Sequence, residues 1–430
     1  MNTRIIEENS QGIKLEIYIP YSNSMLQNEE TIQRELNNAG NIATEKSLKQ
    51  FDTDGSSLKI GSVKYTSKGQ VESIYQTPYG EIRIKRHVYQ TKEGGSTYCP
   101  LESNARIIHS TTPKFAKIVG SKYGRMDGPG VVKDLKEHGR DITKGYIQNL
   151  TEIVSTIAYA KEGKWEYEVP EYKSGVSCIS IGMDGSMVLV SGEGYREVMT
   201  GTIAFFDKDC NRLYTKYIAA TPEYQKETFK SRMEKEISQV KSVYPNAVYV
   251  GLADGGNGNW EFLSKHTDIQ TIDFYHVTEY LSNFSDIIFE NELDKKKWLK
   301  EKCHQLKHED GAADSILSEL KKLSKGKKGK TMQNLQKTIT YFENQKDKMI
   351  YSYNIKNNLP IGSGITEAGC KVIVKERFCR SGMRWGKQGI AIVLKLRTML
   401  YTTNQWEEFW HKIDRFGVSL NLHLDIASHA

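Results

Sequence analysis

Apolar and polar residues alternate along three consecutive segments from Gly175 onward, and this alternation predicts three β-strands joined by turns. The segments are SCISIGMDGSMVLV, EVMTGTIAFFD and RLYTKYIAA. The period then becomes helical in PEYQKETFKSRMEKEISQVKSVY. We predict that this helix starts at Pro222, because proline suits the first helical turn. Two further short apolar strands, AVYVGLADG and IQTIDFYH, flank the predicted helix NWEFLSKH.

Three strands, a helix, a strand, a helix and a strand is the element order of a ribonuclease H-like α/β domain. The pattern therefore predicts a mixed five-stranded sheet covered by helices. Helical periodicity continues from about Glu279 to Tyr353 and is interrupted near Gly326–Gly329. Helices return after the loop NNLPIGSG and run to about Trp410.

Upstream of this domain, the first 70 or so residues are polar, and we expect irregular structure with one weakly amphipathic helix. The segment GEIRIKRHVYQ alternates with a period of two and predicts an N-terminal β-hairpin. A short helix ending at Gly139 and a longer one capped by Asp141 or Thr143 follow. This is the helix-turn-helix pattern of DNA-binding domains, although any small helical bundle shows it too.

Composition narrows the class of protein. The chain has 430 residues, of which 38% are hydrophobic and 26% charged, as in soluble globular proteins. No apolar run has the length of a membrane span, and the N-terminus MNTRIIEENSQGIK lacks a signal-peptide core. We therefore expect a cytoplasmic protein with no membrane partner. The six cysteines form no CxxC pair, so we expect reduced thiols.

Positive charge is concentrated in two places. From Tyr351 to Leu400 the chain has nine lysines and arginines against two acids, an excess equal to the whole net charge of +7. A second cluster, KKLSKGKKGK, lies upstream at residues 321–330. Such clusters suit a polyanion such as nucleic acid, although a solvated helix face is the simpler interpretation.

Acidic residues follow two of the predicted strands. Asp184 and Asp254 each precede a glycine, which lets the backbone turn sharply. A third acid, Glu367, lies in the predicted helix GSGITEAGCKVIVKERF. Three converging carboxylates would form an oxygen site for Mg²⁺ or Mn²⁺. Two such ions about 4 Å apart can activate a water or hydroxyl nucleophile on a phosphodiester.

Each of these acids also has a purely structural interpretation. An aspartate before glycine is a common turn residue, and Glu367 could pair with Lys371 four residues on. Asp273 and His276 could be a helix cap and a packed histidine. Alternatively, His276 lies near the metals, where it contacts the scissile phosphate or orders the second acid. Asp273 would then orient its imidazole.

Basic residues surround Glu367 on its predicted helix and the turn that follows. Lys371 and Lys375 are four and eight residues beyond Glu367, so a regular helix would place them on its face, where they could hold phosphates. Trp385 could stack on an extruded base or simply pack in the core. The predicted DNA-contacting residues are Lys371, Lys375, Arg377, Arg380, Arg384 and Trp385.

Several motifs occur together in one order. They are MDGSMV with YREVMTGTIAFFD, ADGGNGNWEFL, IDFYHVTEYL, LPIGSGITEAGCKVIVKERFCRSGMRW and LKLRTML, preceded by YGEIRIKRHVYQ and CPLE. Over roughly residues 75–410 the chain resembles bacterial insertion-sequence transposases of the DDE type, and within them the ISKra-type group. The resemblance implies that Asp184, Asp254 and Glu367 are the catalytic, metal-binding acids, using Mg²⁺ or Mn²⁺, with two ions.

The resemblance also implies a ribonuclease H-like core interrupted by an α-helical insertion between Asp254 and Glu367. Related groups carry a Cys or Asp, two residues and then His after the second acid, a pattern that Asp273 and His276 match. Relatives often carry upstream cysteine pairs that suggest zinc, but Cys99 stands alone here, so we predict no structural zinc. The expected segments are a variable N-terminal region (1–74), a β-rich segment (75–111), a helical region with the helix-turn-helix pattern (112–165), the first part of the core (175–281), the insertion (282–354), the last part of the core (355–412) and a tail (413–430).

The predicted function is metal-dependent cleavage at transposon ends and transfer of the 3′-hydroxyl strand into target DNA. The partners would be double-stranded DNA at both the transposon ends and the target, and a second copy of the chain, in a homodimer or larger assembly. One alternative is a ribonuclease H-like, structure-specific nuclease that cuts without strand transfer. Another is a domesticated, non-catalytic DNA-binding protein. A glycosidase with paired carboxylates fits the acids but not the basic segments.

Overall fold

The computed structural model describes residues 2–418. Its strands are β1 (Thr3–Asn9), β2 (Gly12–Ile17), β3 (Leu58–Ile60), β4 (Val63–Gln76), β5 (Glu81–Thr91), β6 (Gly94–Tyr98), β7 (Cys178–Val190), β8 (Gly194–Phe206), β9 (Arg212–Ala220), β10 (Val248–Ala253) and β11 (Ile269–Ile272). They form a two-stranded, a four-stranded and a five-stranded sheet among the described residues.

Helices occupy most of the remaining chain. They are α1 (Met25–Lys49), α2 (Pro100–Asn104), α3 (Pro113–Arg125), α4 (Gly128–Glu137), α5 (Lys144–Ala160), α6 (Glu227–Val243), α7 (Asn257–His266), α8 (Phe274–Ile288), α9 (Glu292–His308), α10 (Ala312–Leu323), α11 (Gly329–Gln345), α12 (Tyr351–Lys356), α13 (Gly364–Gly369), α14 (Glu376–Phe378), α15 (Lys387–Tyr401) and α16 (Gln405–Phe416). A π-helical turn over Cys370–Lys375 joins α13 to α14. No described helix is long and apolar enough to cross a membrane.

The chain divides into two compact units. One comprises the residues up to Tyr167 together with 395–400 and the residues from Asn404 onward. It contains the two smaller sheets and helices α1–α5 and α16. The other comprises residues 168–394 and 401–403 and contains the five-stranded sheet with its helices. The candidate active site lies entirely within this second unit.

The five-stranded sheet has the order β11-β10-β7-β8-β9. Strands β7, β8 and β9 are antiparallel neighbours, as expected for consecutive strands joined by short turns, whereas β10 and β11 run parallel to β7. The predicted mixed five-stranded sheet is therefore confirmed. Strands β10 and β11 end beside the middle of β7, and the carboxyl ends of parallel strands are where α/β proteins bind ligands.

The sheet and the helices after it share one apolar core. Helix α6 buries Phe229, Met233 and Ile237 against the sheet, which contributes residues such as Ile181 and Phe205. Helices α8–α12 extend the same core through a set of buried side chains. These include Leu281, Phe284, Trp298, Leu306, Ile316, Leu320, Leu335, Phe342 and Tyr351. Burying a large apolar side chain contributes about 1.5–3 kcal/mol, so this continuous core fixes the helices to the sheet.

The first unit follows the predicted pattern in part. The hairpin β4–β5 is confirmed and is extended by β3 and β6. Helix α5 begins after Thr143, whose side chain accepts a hydrogen bond from the backbone of Tyr146, so Thr143 is the N-cap. The expectation of irregular structure before residue 70 is wrong. Strands β1 and β2 form a hairpin there, and their mostly exposed side chains explain the weak apolar signal.

Three boundaries in the second unit differ from the predictions. Helix α6 begins at Glu227 rather than Pro222, because Gln225 and Lys226 adopt left-handed backbone conformations that no helix continues. Strand β7 does not end at Asp184 but continues to Val190, paired throughout with β8. The long helical stretch begins at Phe274 and is divided into α8–α12, a finer division than the apolar period indicates.

Candidate active site

Asp184 and Asp254 occupy matching positions in neighbouring parallel strands. Gly182 of β7 lies opposite Leu252 of β10, and each aspartate is two residues further along its chain. Parallel strands lie about 4.8 Å apart, so the two acids start from adjacent backbone positions. Asp254 directly follows β10 and is exposed, whereas Asp184 is half-buried within β7.

Asp273 adds a third carboxylate beside Asp184 and Asp254, on the next strand of the sheet. Ala253 of β10 lies opposite Ile272 of β11, so the residues that follow, Asp254 and Asp273, are again neighbours. The backbone N–H of Asp273 donates to the carbonyl of Ala253 at 2.9 Å, which continues the ladder past the end of the strand. Three carboxylates therefore stand in register on three adjacent parallel strands: Asp254 and Asp273 directly follow β10 and β11, and Asp184 occupies the matching position within β7.

The carboxylate of Asp184 is held by two donors. Its Oδ1 accepts from the backbone N–H of Gly185 at 2.7 Å, and its Oδ2 accepts from the thiol of Cys370 at 3.4 Å. Burial, followed by the charge of Asp184, raises the pKa of Cys370 to about 12, so the thiol stays protonated and donates. Sequence reasoning missed this contact because no pattern relates Cys370 to a residue 186 positions earlier.

Two side chains at the end of α11 form hydrogen bonds with the loop that begins at Asp254. The hydroxyl of Tyr341 donates to the backbone carbonyl of Asp254 at 3.3 Å, and the side-chain amide of Gln345 donates to the carbonyl of Gly255 at 3.3 Å. Tyr341 stacks on Tyr280 with ring centroids 3.9 Å apart. These contacts leave the carboxylate of Asp254 facing solvent, with one bond from the backbone N–H of Gly256 at 3.3 Å.

Asp273 is a buried structural anchor. Its side chain is 1% exposed. Oδ1 accepts from the backbone N–H of His276 at 2.8 Å and caps α8, and Oδ2 accepts from the backbone N–H of Ser363. These contacts favour the helix-cap interpretation of Asp273, and its role in orienting the imidazole of His276 stays a prediction. The aspartate positions the first turn of α8 and the segment before α13.

The imidazole of His276 lies between two glutamates. Nδ1 is 3.2 Å from Oε2 of Glu279, and Nε2 is 3.8 Å from Oε1 of Glu367. Glu367 also accepts from the hydroxyl of Ser363 at 3.0 Å. The donor atoms of Asp273, His276 and Glu367 all lie within 4.8 Å of one another, a set that could hold a divalent metal ion. Asp184 and Asp254 lie outside this group of three.

Glu367 is positioned by close packing of α13 on the sheet. The hydroxyls of Thr366 and Thr202 hydrogen-bond at 2.7 Å. Gly182, paired with Thr202, leaves no room for a larger residue: a Cβ there would lie 2.0 Å from Oγ1 of Thr366. Gly369 likewise packs against Thr202. The helix that carries the third acid therefore rests on β7 two residues before Asp184.

A π-helical turn carries two of the predicted basic residues. Lys371 and Lys375 lie within it, so a regular 3.6-residue period does not connect them to Glu367, and their shared face with that acid stays a prediction. Both lysines are exposed. Arg380 and Arg384 are exposed as well. These four side chains remain candidates for contact with phosphates.

Arg377 and Trp385 are held inside the protein. Arg377 is 2% exposed, and its guanidinium lies 4.8 Å from the ring of Trp385, so the prediction that it contacts DNA is wrong. Trp385 forms a β-bridge with Val190, and its half-buried ring packs 4.8 Å from that of Phe378. This geometry favours the packing interpretation of Trp385 over base stacking.

No protein-family model matches the chain, and no curated protein matches it. Among solved structures, the chain is similar to the Drosophila P element transposase strand transfer complex, at 12% identity over 74% of this chain and 85% of that chain, with a TM-score of 0.27.

The contacts of His276 and Asp273 predict different outcomes for their substitution. His276→Ala removes a partly exposed ring whose nitrogens face Glu279 and Glu367, so we expect DNA cleavage to fall tenfold or more, as when an acid–base or positioning group is lost. The free energy of unfolding of this variant should be unchanged.

Asp273→Ala leaves two backbone donors without partners and should lower the free energy of unfolding by about 2 kcal/mol. Urea unfolding and single-turnover cleavage measure the two effects; unfolding of His276→Ala would favour the packed-histidine interpretation.

Proposed function

We propose that the chain is a DDE-type transposase that cleaves DNA at the ends of an insertion sequence and joins the 3′-hydroxyl strand to target DNA. The observation that carries the proposal is the row of carboxylates at Asp184, Asp254 and Asp273, with Glu367 brought to the same sheet by α13. The motifs that resemble ISKra-type transposases assign catalytic roles to three of these four acids.

The topology supports a ribonuclease H-like core for this activity. An antiparallel trio, β7–β9, is followed by two strands parallel to the first, and α8–α12 stand between the second and third proposed acids. That position fits the proposed helical insertion. Asp254 directly follows β10, Asp184 lies at the matching position of β7, and α13 carries Glu367, so the proposed chemistry would lie where β10 and β11 end.

The acids suit a divalent cation. No lysine or arginine among the described residues lies within 4.0 Å of the carboxylates of Asp184, Asp254 or Glu367. Carboxylates that no basic side chain neutralises favour a bound cation, and oxygen donors favour Mg²⁺ or Mn²⁺. Asp184, Asp254 and Glu367 would hold the metal, which would supply charge stabilisation for phosphodiester cleavage.

The protein's own groups would prepare this site. The Cys370 thiol and the Gly185 backbone fix Asp184, while the contacts of Tyr341 and Gln345 fix the loop of Asp254. His276 beside Glu367 could hold a scissile phosphate or a proton near the acids. Exposed Lys371, Lys375, Arg380 and Arg384 would bind DNA phosphates, and two copies of the chain would bring together the two transposon ends.

The proposed activity is tested with a precut duplex that carries the flanking DNA of the gene and ends in a 3′-hydroxyl, mixed with supercoiled plasmid. We expect joined products with Mg²⁺ or Mn²⁺ and none after the metal is removed with EDTA. Gel analysis of the labelled strand measures the outcome. Cutting without joining would favour the nuclease alternative. DNA binding without either reaction would favour the domesticated DNA-binding protein.

A further inference from the structure

A lysine-rich surface lies at the junction of α10 and α11. From Leu320 to Phe342 the chain has seven lysines and no acid. We refer to residues 321–330 as the basic tip. Lys321 is paired with Glu343 at 2.6 Å. The lysines of the tip that are exposed and have no acid within 4.0 Å among the described residues are Lys322, Lys325, Lys327, Lys328 and Lys330.

The backbone of the basic tip turns at two glycines that lie among these lysines. Gly326 and Gly329 adopt left-handed conformations, with φ of 83° and 60°, and no atom approaches the position of an added Cβ. Helix α11 begins at Gly329, and Lys328 gives it no side-chain cap, so its first backbone N–H groups stay available. A shallow cavity of about 540 Å³ beside them is lined by Lys328, Gly329, Met332, Gln333 and Gln336.

These groups define the chemistry of the partner. Ammonium groups, amide donors and the positive end of a 17-residue helix all favour an anion. The tip has no aromatic side chain on which a base could stack, which argues against single-stranded nucleic acid. Lysines without base-reading partners bind the phosphate backbone whatever the sequence.

Helix α11 connects the basic tip to the acids. Its far end carries Tyr341, which contacts the backbone of Asp254. Its middle is anchored by buried Leu335, Ile339 and Phe342. Lys330 and Tyr341 are separated along the helix axis by roughly 17 Å at about 1.5 Å per residue. That distance corresponds to about five base pairs of DNA at about 3.4 Å each.

We propose that the basic tip binds the phosphate backbone of double-stranded DNA about half a helical turn from the phosphate at the acids. Helix α11 then holds the tip at a fixed distance from the acidic edge. This inference rests on the proposed function, because it describes how the proposed DNA-cleaving site would hold double-stranded DNA.

The test changes Lys325, Lys327, Lys328 and Lys330 together to glutamine in the full chain. Binding to a fluorescent 30-base-pair duplex is measured without divalent metal over a range of salt concentrations. We expect affinity at about 0.1 M salt to fall tenfold or more, and the slope of log K against log salt to decrease by about 3. The thermal unfolding temperature should not change, since these side chains have no partners to lose.

A matched variant controls for net charge. Changing Lys59, Lys64, Lys68 and Lys92, which are exposed in or beside the four-stranded sheet, to glutamine removes the same four charges. Equal weakening in both variants, or unchanged binding in the tip variant, overturns the proposal. Because binding is measured without metal, loss of cleavage in the acid variants leaves this test unaffected. Where cleavage occurs, the tip variant should need more DNA for half-saturation while its rate at saturating DNA is unchanged.

Discussion

Asp184→Asn, Asp254→Asn and Glu367→Gln are each expected to lower DNA end cleavage by roughly 10³-fold or more, the scale seen when a catalytic group is removed. Each change keeps the size of the side chain but removes the negative charge that a cation needs. Single-turnover cleavage of labelled duplex in Mg²⁺ measures the effect. Strand joining should fall in parallel, because both reactions use the same acids.

The matched control is Asp209→Asn. Asp209 is exposed in the turn between β8 and β9, at the opposite end of the sheet from Asp184, so its change should leave cleavage intact. All four variants should bind duplex DNA and unfold at about the wild-type temperature. Full cutting by Asp184→Asn and Asp254→Asn, with loss in Glu367→Gln and His276→Ala, would place the metal at the group of Asp273, His276 and Glu367 instead.

Gly182→Ala is expected to reduce cleavage by about 100-fold although the residue has no reactive group. The added Cβ would lie 2.0 Å from Oγ1 of Thr366, so α13 must move away from β7 and carry Glu367 with it. A displacement of about 1 Å in a catalytic group can cost about 10²-fold in rate. Overpacking should also lower the free energy of unfolding by about 1–3 kcal/mol. Urea unfolding and single-turnover cleavage measure the two effects.

Two further variants isolate the cause. Gly364→Ala lies on the same helix, where an added Cβ meets no atom within 4 Å, so it should leave both measurements near the wild-type values. Combining Gly182→Ala with Thr366→Ala removes the hydroxyl that clashes and should recover part of the activity. In a double-mutant cycle the two changes should therefore be strongly non-additive. Additive losses would show that Gly182 does not act through α13.

The sequence alone predicted the five strands of the large sheet, because each carries an apolar pattern that requires no knowledge of its neighbours. It also identified Asp184, Asp254 and Glu367 as candidate catalytic acids. The two aspartates follow apolar segments, and all three lie in motifs that resemble those of a family. Local signals likewise limited the cap of α5 to Asp141 or Thr143, and the structure shows that Thr143 is the cap.

Tertiary structure decided which groups meet. The register of β7, β10 and β11 sets Asp273 beside Asp254, and the fit of α13 over Gly182 positions Glu367. The π-helical turn begins at Cys370, whose thiol contacts Asp184, and it interrupts the regular helical period that the sequence predicted through Lys371 and Lys375. Burial of Arg377 beneath Trp385 came from packing that no local pattern records. Periodicity shows which face of a segment is buried and which is exposed. Contacts between residues about 90 to 190 positions apart in the sequence depend instead on the packing of the whole core.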